Sequence, residues 1–418
     1  MSGKAKAAER RVRFTEKEKS WIKYDVGNSA FVMLSATLIP IYFAELAGPE
    51  SSIVVSWGFT ESAASLLIAL LMPFLGNIAD VMGNKKKFLL GTAGTGIVAC
   101  AALGIPLSAS AFLVVYLIAN VMLNSSMVFY DAFLVDAAQP QRRHAVSSAG
   151  YAWGYIGSCI PFVTCLVIVL FGGRLGISTL NGIRLSFLIT ALWWLAFTIP
   201  LLRKVKQVHG RQRSAFSRRT VIPEVLATLK YITKTKHLLL FMLAYFFYID
   251  GVHTIIKMAV SFGSELGLDS TMMVLALLLT QIIAFPATIV YGRLAQRFGA
   301  WRMISISTLC YAAIVFYAAF FLQSSREFWI LAVAVGLFQG GIQAISRSYF
   351  SEIIPPDHAD EFYGIFDIFG KYAAALGTFL IGFVTMITGN AQIGVFSLCI
   401  MFVIAFVLLM KMPRFARF

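Results

Sequence analysis

The sequence predicts an all-α polytopic membrane protein, with twelve transmembrane helices in two pseudo-symmetric six-helix bundles. Three observations lead there. The 418 residues are 59% hydrophobic and only 13% charged, about half the charge of a typical soluble domain. Apolar runs of about 20 residues, each long enough to cross the hydrocarbon of a bilayer, recur along the whole chain. The middle, residues 202–237, is instead polar and basic, with Arg203, Lys204, Lys206, Arg211, Arg213, Arg218, Arg219, Lys230, Lys234 and Lys236. The expected organisation is therefore an N-terminal bundle over 1–201, a cytoplasmic connector over 202–237 and a C-terminal bundle over 238–418.

The net charge is +15. In a soluble protein that balance would raise nucleic-acid binding. Here the basic residues fall mainly in loops on one side of the spans, which is the positive-inside pattern, so no nucleic-acid partner is expected. The pattern predicts an integral membrane protein with both termini cytoplasmic and with lipid around it. Residues 1–24 are charged and show no cleavable pattern, so the run that follows reads as a first span. Cys100, Cys159, Cys165, Cys310 and Cys399 all fall in apolar runs without metal-site spacing and read as packing residues.

The first span covers 24–43, with Asp25 and Asn28 at its inner end and Pro40 near its outer end, where a lost backbone bond matters less. The second, 56–79, runs into Gly76-Asn-Ile-Ala-Asp80-Val-Met-Gly83-Asn-Lys85-Lys86-Lys87. Gly83 permits a tight reversal, and the three lysines hold that loop on the cytoplasmic side. Spans three to six cover 88–107, 112–133, 146–170 and 184–201. The fourth is the most polar, with Asn120, Asn124, Tyr130, Asp131 and then Asp136. Arg142, Arg143 and His144 mark a further inner loop. The fifth has a face of Gly150, Gly154, Gly157 and Ser158 that allows close helix approach.

In the connector, apolar residues recur at Val221, Val225, Leu226, Leu229 and Ile232. That spacing reads as a surface helix at the cytoplasmic interface; the alternative is an early start to the seventh span. Spans seven to twelve cover 238–262, 271–291, 303–322, 328–350, 362–388 and 391–410. Lys411, Arg414 and Arg417 keep the C-terminus inside.

The second bundle repeats the first. Gly292-Arg293-Leu-Ala-Gln296-Arg297-Phe-Gly299 follows its second span, with Gly76 and Gly292, and likewise Gly83 and Gly299, 216 residues apart. The same offset sets Asp131 against Arg347 and Asp136 against Glu352. A fused pair of similar bundles predicts a pseudo-two-fold axis along the membrane normal and a site between the halves.

A charged side chain in hydrocarbon is costly, so such residues should face protein or a watery cavity. Asp250, His253 and Lys257, spaced by three and four, share one face of the seventh span and are expected to line that cavity; mutual neutralisation of Asp250 and Lys257 is the alternative. Asp131 and Arg347 are expected to close the inner gate across the halves, the alternative for Arg347 being snorkelling to the headgroups. Asp25 reads either as a proton carrier or partner of the lysine rim, or as a carboxylate at a helix end. Asp367 and Lys371, four apart, can pair along the lining; Gln281, Gln339 and Gln343 add uncharged hydrogen-bonding capacity, with helix–helix bonding as their default reading, and Asn28, Asn124 and Gln343 are counted among the candidate site residues. Asp80 reads as a latch accepting bonds from opposing helices, flanked by Gly76 and Gly83; Arg293 and Gly299 belong to the weaker second copy, where Gln296 replaces the carboxylate. No Walker loop, His-Glu-x-x-His or paired-cysteine motif is present, so neither an enzyme nor a cofactor or metal site is expected.

The Gly76-x-x-x-Asp80-x-x-Gly83 motif with its lysines, its degenerate copy, twelve spans and a central connector together resemble the major facilitator superfamily. Within it the chain resembles the Atg22-like, or UMF1, branch. The resemblance rests on Tyr24-Asp25-Val-Gly-Asn28-Ser29-Ala30-Phe31, Tyr130-Asp131-Ala-Phe-Leu and Ser147-Ser148-Ala-Gly150-Tyr151-Ala-Trp-Gly154-Tyr155. It rests also on Gly340-Gly341-Ile-Gln343-Ala-Ile-Ser346-Arg347-Ser348 and on Glu361-Phe362-Tyr363-Gly364 through Phe369-Gly370-Lys371. Gly27 stands where that branch often has alanine, and Lys23 precedes Tyr24. The resemblance implies a secondary active transporter of small polar solutes, amino acids or peptides, working by alternating access; the compact length without the extra segments of fungal members points to a bacterial inner membrane, and the titratable groups within spans point to proton coupling as a symporter. A polyspecific drug exporter and a non-transporting sensor or scaffold are the alternatives. One chain supplies both halves, so a monomer suffices.

Overall fold

The computed structural model describes residues 14–35, 37–47, 53–106, 108–212, 221–265 and 270–412. The charged N-terminal cluster up to residue 13, the connector residues 213–220 and the terminal Arg414 and Arg417 lie outside them. The chain before the connector forms α1 (Glu16–Ser35), α2 (Leu38–Ala47), α3 (Ile53–Ala79), α4 (Lys85–Ala102), α5 (Ala109–Ala132), α6 (Leu134–Ala137), α7 (Arg143–Phe171) and α8 (Thr179–Lys204). The connector holds α9 (Val221–Lys234). After it come α10 (Lys236–Glu265), α11 (Ser270–Phe298), α12 (Ala300–Phe321), α13 (Ser325–Ile353), α14 (Ala359–Thr388), α15 (Ala391–Phe396) and α16 (Leu398–Met410).

Nine stretches among the described residues are long and apolar enough to cross a membrane, and Leu66–Ala79 and Leu376–Thr388 are shorter apolar helices. With α4, whose first turn carries three lysines, they make up the twelve expected spans. Several boundaries differ from the sequence reading. The first span starts earlier, at Glu16, and is two helices; Pro40 sits in the first turn of α2, where its missing N–H would have no helical partner. The fourth breaks at Phe133 and the last at Ser397. Short serines fix several starts: Ser108 accepts from Ala111 N–H, and Ser178 from Asn181 N–H.

Within the first bundle α1 packs on α7 and α8, and α4 on α5 and α8; within the second, α10 packs on α14 and α16, and α12 on α13. The bundles meet where α3 crosses α14 and α7 crosses α11. Both crossings are backbone-close. A Cβ on Gly76 would stand 2.5 Å from the Asp360 carbonyl oxygen, and one on Gly292 would meet Ser148 and, at 3.2 Å, the His144 carbonyl oxygen. Gly76 and Gly292 are related by the same offset as His144 and Asp360, so the two crossings are copies of one contact. Beyond each, Gly83 and Gly299 adopt φ of 86° and 91°, a region closed to most side chains.

Helix α9 is separate from α10, with Thr235 between them. It buries Val221, Val225 and Ile232 and leaves Ile222, Leu226 and Leu229 exposed on the adjoining face. Upstream of it, Arg211 pairs with Val81 as an isolated parallel bridge, so the connector is tied to the turn after α3.

Candidate functional site

A cavity of about 470 Å³ lies between the bundles. From the first bundle Asn120, Asn124, Asp131 and Tyr151 reach it; from the second come Tyr245, His253, Lys257, Gln343, Arg347, Tyr363, Phe366 and Asp367. Cations and carboxylates thus face one space, with aromatic rings between them.

At one end the cavity is bounded by an ionic cluster. Arg347 on α13 is 1% exposed. It donates from Nη1 to Asp131 Oδ1 at 2.9 Å, from Nη2 to Asp25 Oδ2 at 3.1 Å and from Nε to Ser147 Oγ at 2.9 Å. Its guanidinium lies 4.2 Å from the ring centre of Tyr151, 4.7 Å from Trp21 and 5.5 Å from Tyr130. Tyr130 Oη donates to Asp25 Oδ2 at 2.8 Å, and Trp21 Nε1 to the Tyr130 carbonyl. Burying a guanidinium costs several kcal/mol of hydration, which two carboxylates and three ring faces offset. The cluster joins α1, α5 and α7 to α13.

A second layer lies closer to the connector. Both oxygens of Asp80 accept backbone bonds at 2.9 Å, from the Asp360 and Glu361 N–H groups at the start of α14. A carboxylate there satisfies free helix-end donors and meets the positive end of the helix dipole. Burial and the nearby Asp360 carboxylate still push Asp80 well above the usual carboxylate range, against the opposing pull of Lys85 and the two amides. Lys85 Nζ is fully buried between Asp136 at 3.0 Å and Asp360 at 3.3 Å. The connector completes this layer. Asp136 Oδ1 accepts from the Val208 and His209 amides, Gly210 N–H donates to Asp357, and Arg211 Nη2 donates to the Asn77 carbonyl. Arg211 also pairs with Glu224 of α9. The hydrogen bonds and ion pairs described between the bundles gather at this end, from Gln343–Tyr155 at 3.4 Å down to the connector.

Residues 51–414 match the family model described as "Vacuole effluxer Atg22 like". The chain belongs to that family. It is 39% identical over 411 residues to "Uncharacterized MFS-type transporter YxiO" of Bacillus subtilis, covering 96% of each chain. It is 28% identical over 280 residues to "Autophagy-related protein 22" of Cryptococcus neoformans, which is 62% of this chain but only 48% of that one. Its fold matches FucP of E. coli, a major facilitator superfamily transporter solved in an outward conformation, with a TM-score of 0.75 at 14% identity over 97% of this chain and 99% of that one. The fold is therefore the major facilitator fold, and this Atg22-like chain is an integral membrane MFS-type transporter, not an enzyme.

Of the residues singled out in the sequence, Asn124, Asp131, His253, Lys257, Gln343, Arg347 and Asp367 come together around the cavity of this MFS-type chain. Others do not. Asp250 is absent from the lining: its Oδ1 accepts from Gly377 N–H at 3.0 Å and from Thr254. Helix α14 crosses α10 closely at Gly377 and covers that part of the face, whereas Lys257, two turns on, stands clear. Asn28 is turned back on its own helix, donating to the Tyr24 carbonyl at 2.8 Å. Asp25 is not a helix-end carboxylate, because α1 begins a full two turns earlier, and its partner is Arg347 rather than a lysine rim. Arg347 is buried and does not snorkel. Lys85, expected as a loop charge, is buried as the centre of an ion-pair triad. The side chain of Lys371 lies outside the described ones. In the second copy Arg293 is exposed, and Gln296 Nε2 donates to the Gln141 carbonyl at 3.2 Å. The sequence reading did not propose Trp21, Tyr151, Asp360 or Glu361 as site residues, although Tyr151 and Glu361 stand in the stretches that carry the family resemblance. Asp360 carried a usable signal, since the repeat offset maps it onto His144.

Proposed function

We propose that this chain is a secondary active transporter that moves small polar solutes, amino acids or short peptides, across a bacterial inner membrane by alternating access. The observation that carries the reading is a cavity between the bundles that presents Lys257 and Arg347 together with Asp131 and Asp367. Such a lining suits a solute with both an amine and a carboxylate. With the basic loops and connector on the cytoplasmic side, the bonded end is the inner gate and the described conformation is closed inward. The unit boundaries proposed are those of the sequence reading, and one chain suffices for the cycle.

Proton coupling is part of the proposal. Asp25 and Asp131 share one guanidinium, so opening the gate leaves a carboxylate without its cation and ready to take a proton. Asp367 and His253 offer further positions along the lining. Uptake of candidate solutes into proteoliposomes, with and without an imposed pH gradient, tests both parts. A flux that ignores the pH gradient and the membrane potential removes the coupling; no flux of any amine–carboxylate solute removes the substrate class. A polyspecific exporter is the second reading, favoured by Tyr151, Tyr245, Tyr363 and Phe366 on the lining. Tight binding of unrelated lipophilic cations would select it.

A further inference from the structure

We propose that Asp80, His358 and Glu361 form a divalent-cation site that fastens the two bundles together at the connector end. One potential ligand atom from each residue lies within 4.8 Å of the others. His358 Nδ1 and Glu361 Oε2 are 3.7 Å apart. Adjacent ligands around a four-coordinate zinc stand about 3.3 Å apart, from bonds of about 2.0 Å, so modest side-chain movement brings all three into range. The three do not belong to one segment. Asp80 follows α3 of the first bundle, whereas His358 and Glu361 begin α14 of the second.

The site is more than a cluster of acids. Glu361 is 1% exposed, yet its Oε1 has no hydrogen-bond partner among the described residues. A buried carboxylate oxygen without a donor is costly. Asn77 Nδ2 donates to Glu361 Oε2 at 2.9 Å, which orients the carboxylate; Oε2, the oxygen measured against His358, keeps a second lone pair, and a cation would relieve the orphaned Oε1 as well. Each Asp80 oxygen accepts one backbone amide and keeps a second lone pair. The two cations of this layer are already engaged elsewhere, Lys85 with Asp136 and Asp360 and Arg211 with Glu224. Half-exposed His358 supplies a route from water.

An imidazole nitrogen with two carboxylate oxygens suits Zn²⁺, Co²⁺ or Mn²⁺ better than the all-oxygen shells of Mg²⁺ or Ca²⁺. Because the ligands come from both bundles, the cation binds the gate-closed state and not the open one. It therefore shifts the population toward closure and slows turnover.

The test uses the full chain in nanodiscs, titrated with ZnCl₂, with MgCl₂ as control, and with CoCl₂ for its visible absorption. Zn²⁺ is expected to raise the Tm by several degrees where Mg²⁺ does not, and Co²⁺ to give a ligand-field band. His358→Ala, at a half-exposed position that the fold tolerates, is expected to abolish both, and Glu361→Gln to weaken both at least tenfold. Spin labels at Lys87→Cys and Arg297→Cys are expected to show enrichment of the short distance on adding Zn²⁺. An equal Zn²⁺ response in wild type and His358→Ala, or no response in either, overturns the site. Zn²⁺ binding that leaves the label distances unchanged overturns the fastening.

Discussion

Asp131 and Arg347 stand 216 positions apart in the chain and 2.9 Å apart in space. The repeat that aligns them in sequence also brings them face to face across the pseudo-two-fold axis. Each is the other's counterpart and its ion-pair partner. A buried guanidinium here serves two carboxylates, so the consequences of removing it are lopsided.

Arg347→Met is expected to strand Asp25 and Asp131 and to destabilise the closed gate by about 3–5 kcal/mol, the range for breaking a buried pair. Asp131→Asn leaves Arg347 paired with Asp25 and costs less. Labelling of a cysteine introduced on the cavity lining by a membrane-impermeant reagent added at the connector side checks both. Faster labelling in Arg347→Met than in Asp131→Asn is the expected order.

Asp80→Asn keeps the shape and removes the charge from the start of α14. One of its two amide bonds is lost, because the new NH₂ cannot accept. The closed state is expected to weaken by about 1–2 kcal/mol, seen as a larger long-distance population between labels on the two bundles. An unchanged distribution would show that Asp80 does not hold the gate.

Gly76→Ala and Gly83→Ala should part company. At Gly76 the new methyl meets the Asp360 carbonyl at 2.5 Å, so the bundles must separate, and both transport and stability should fall. At Gly83 nothing lies within 4 Å; the penalty is the strain of φ at 86°, about 1 kcal/mol. Melting temperature together with uptake rate distinguishes the two.

Lys257→Ala is expected to weaken a carboxylate-bearing solute about tenfold, or about 1.4 kcal/mol. Asp250→Asn should leave affinity alone and lower the melting temperature, since its partners are the Gly377 amide and Thr254. Ligand-induced stabilisation measured on both variants separates lining from packing.

Long apolar runs and a basic midpoint are local properties, so the spans and their order were legible. The repeat made the Asp131–Arg347 contact legible as well, because symmetry turns an offset into a neighbour. Asp250 was misplaced because helical spacing reports a face but not which neighbour covers it; the covering helix reaches it through Gly377, far along the chain. Lys85 looked like one of three loop lysines. Only the meeting of α4 with Asp136 and Asp360 distinguishes it from Lys87, which stays exposed. The break near Thr37 was hidden because residues 30–34 and 38–43 on either side of it are apolar.

The twin glycine crossings limit how the molecule can move. At Gly76 main chain rests on the main chain of Asp360, and at Gly292 it rests on the short side chain of Ser148 and the His144 carbonyl, so neither place has a long side chain to act as a cushion. Sliding one bundle past the other would drive atoms into contact at both places at once. Rolling about these two bearings avoids the collision, so the cycle proposed above would be a tilt whose fulcrum is written into two positions without a side chain.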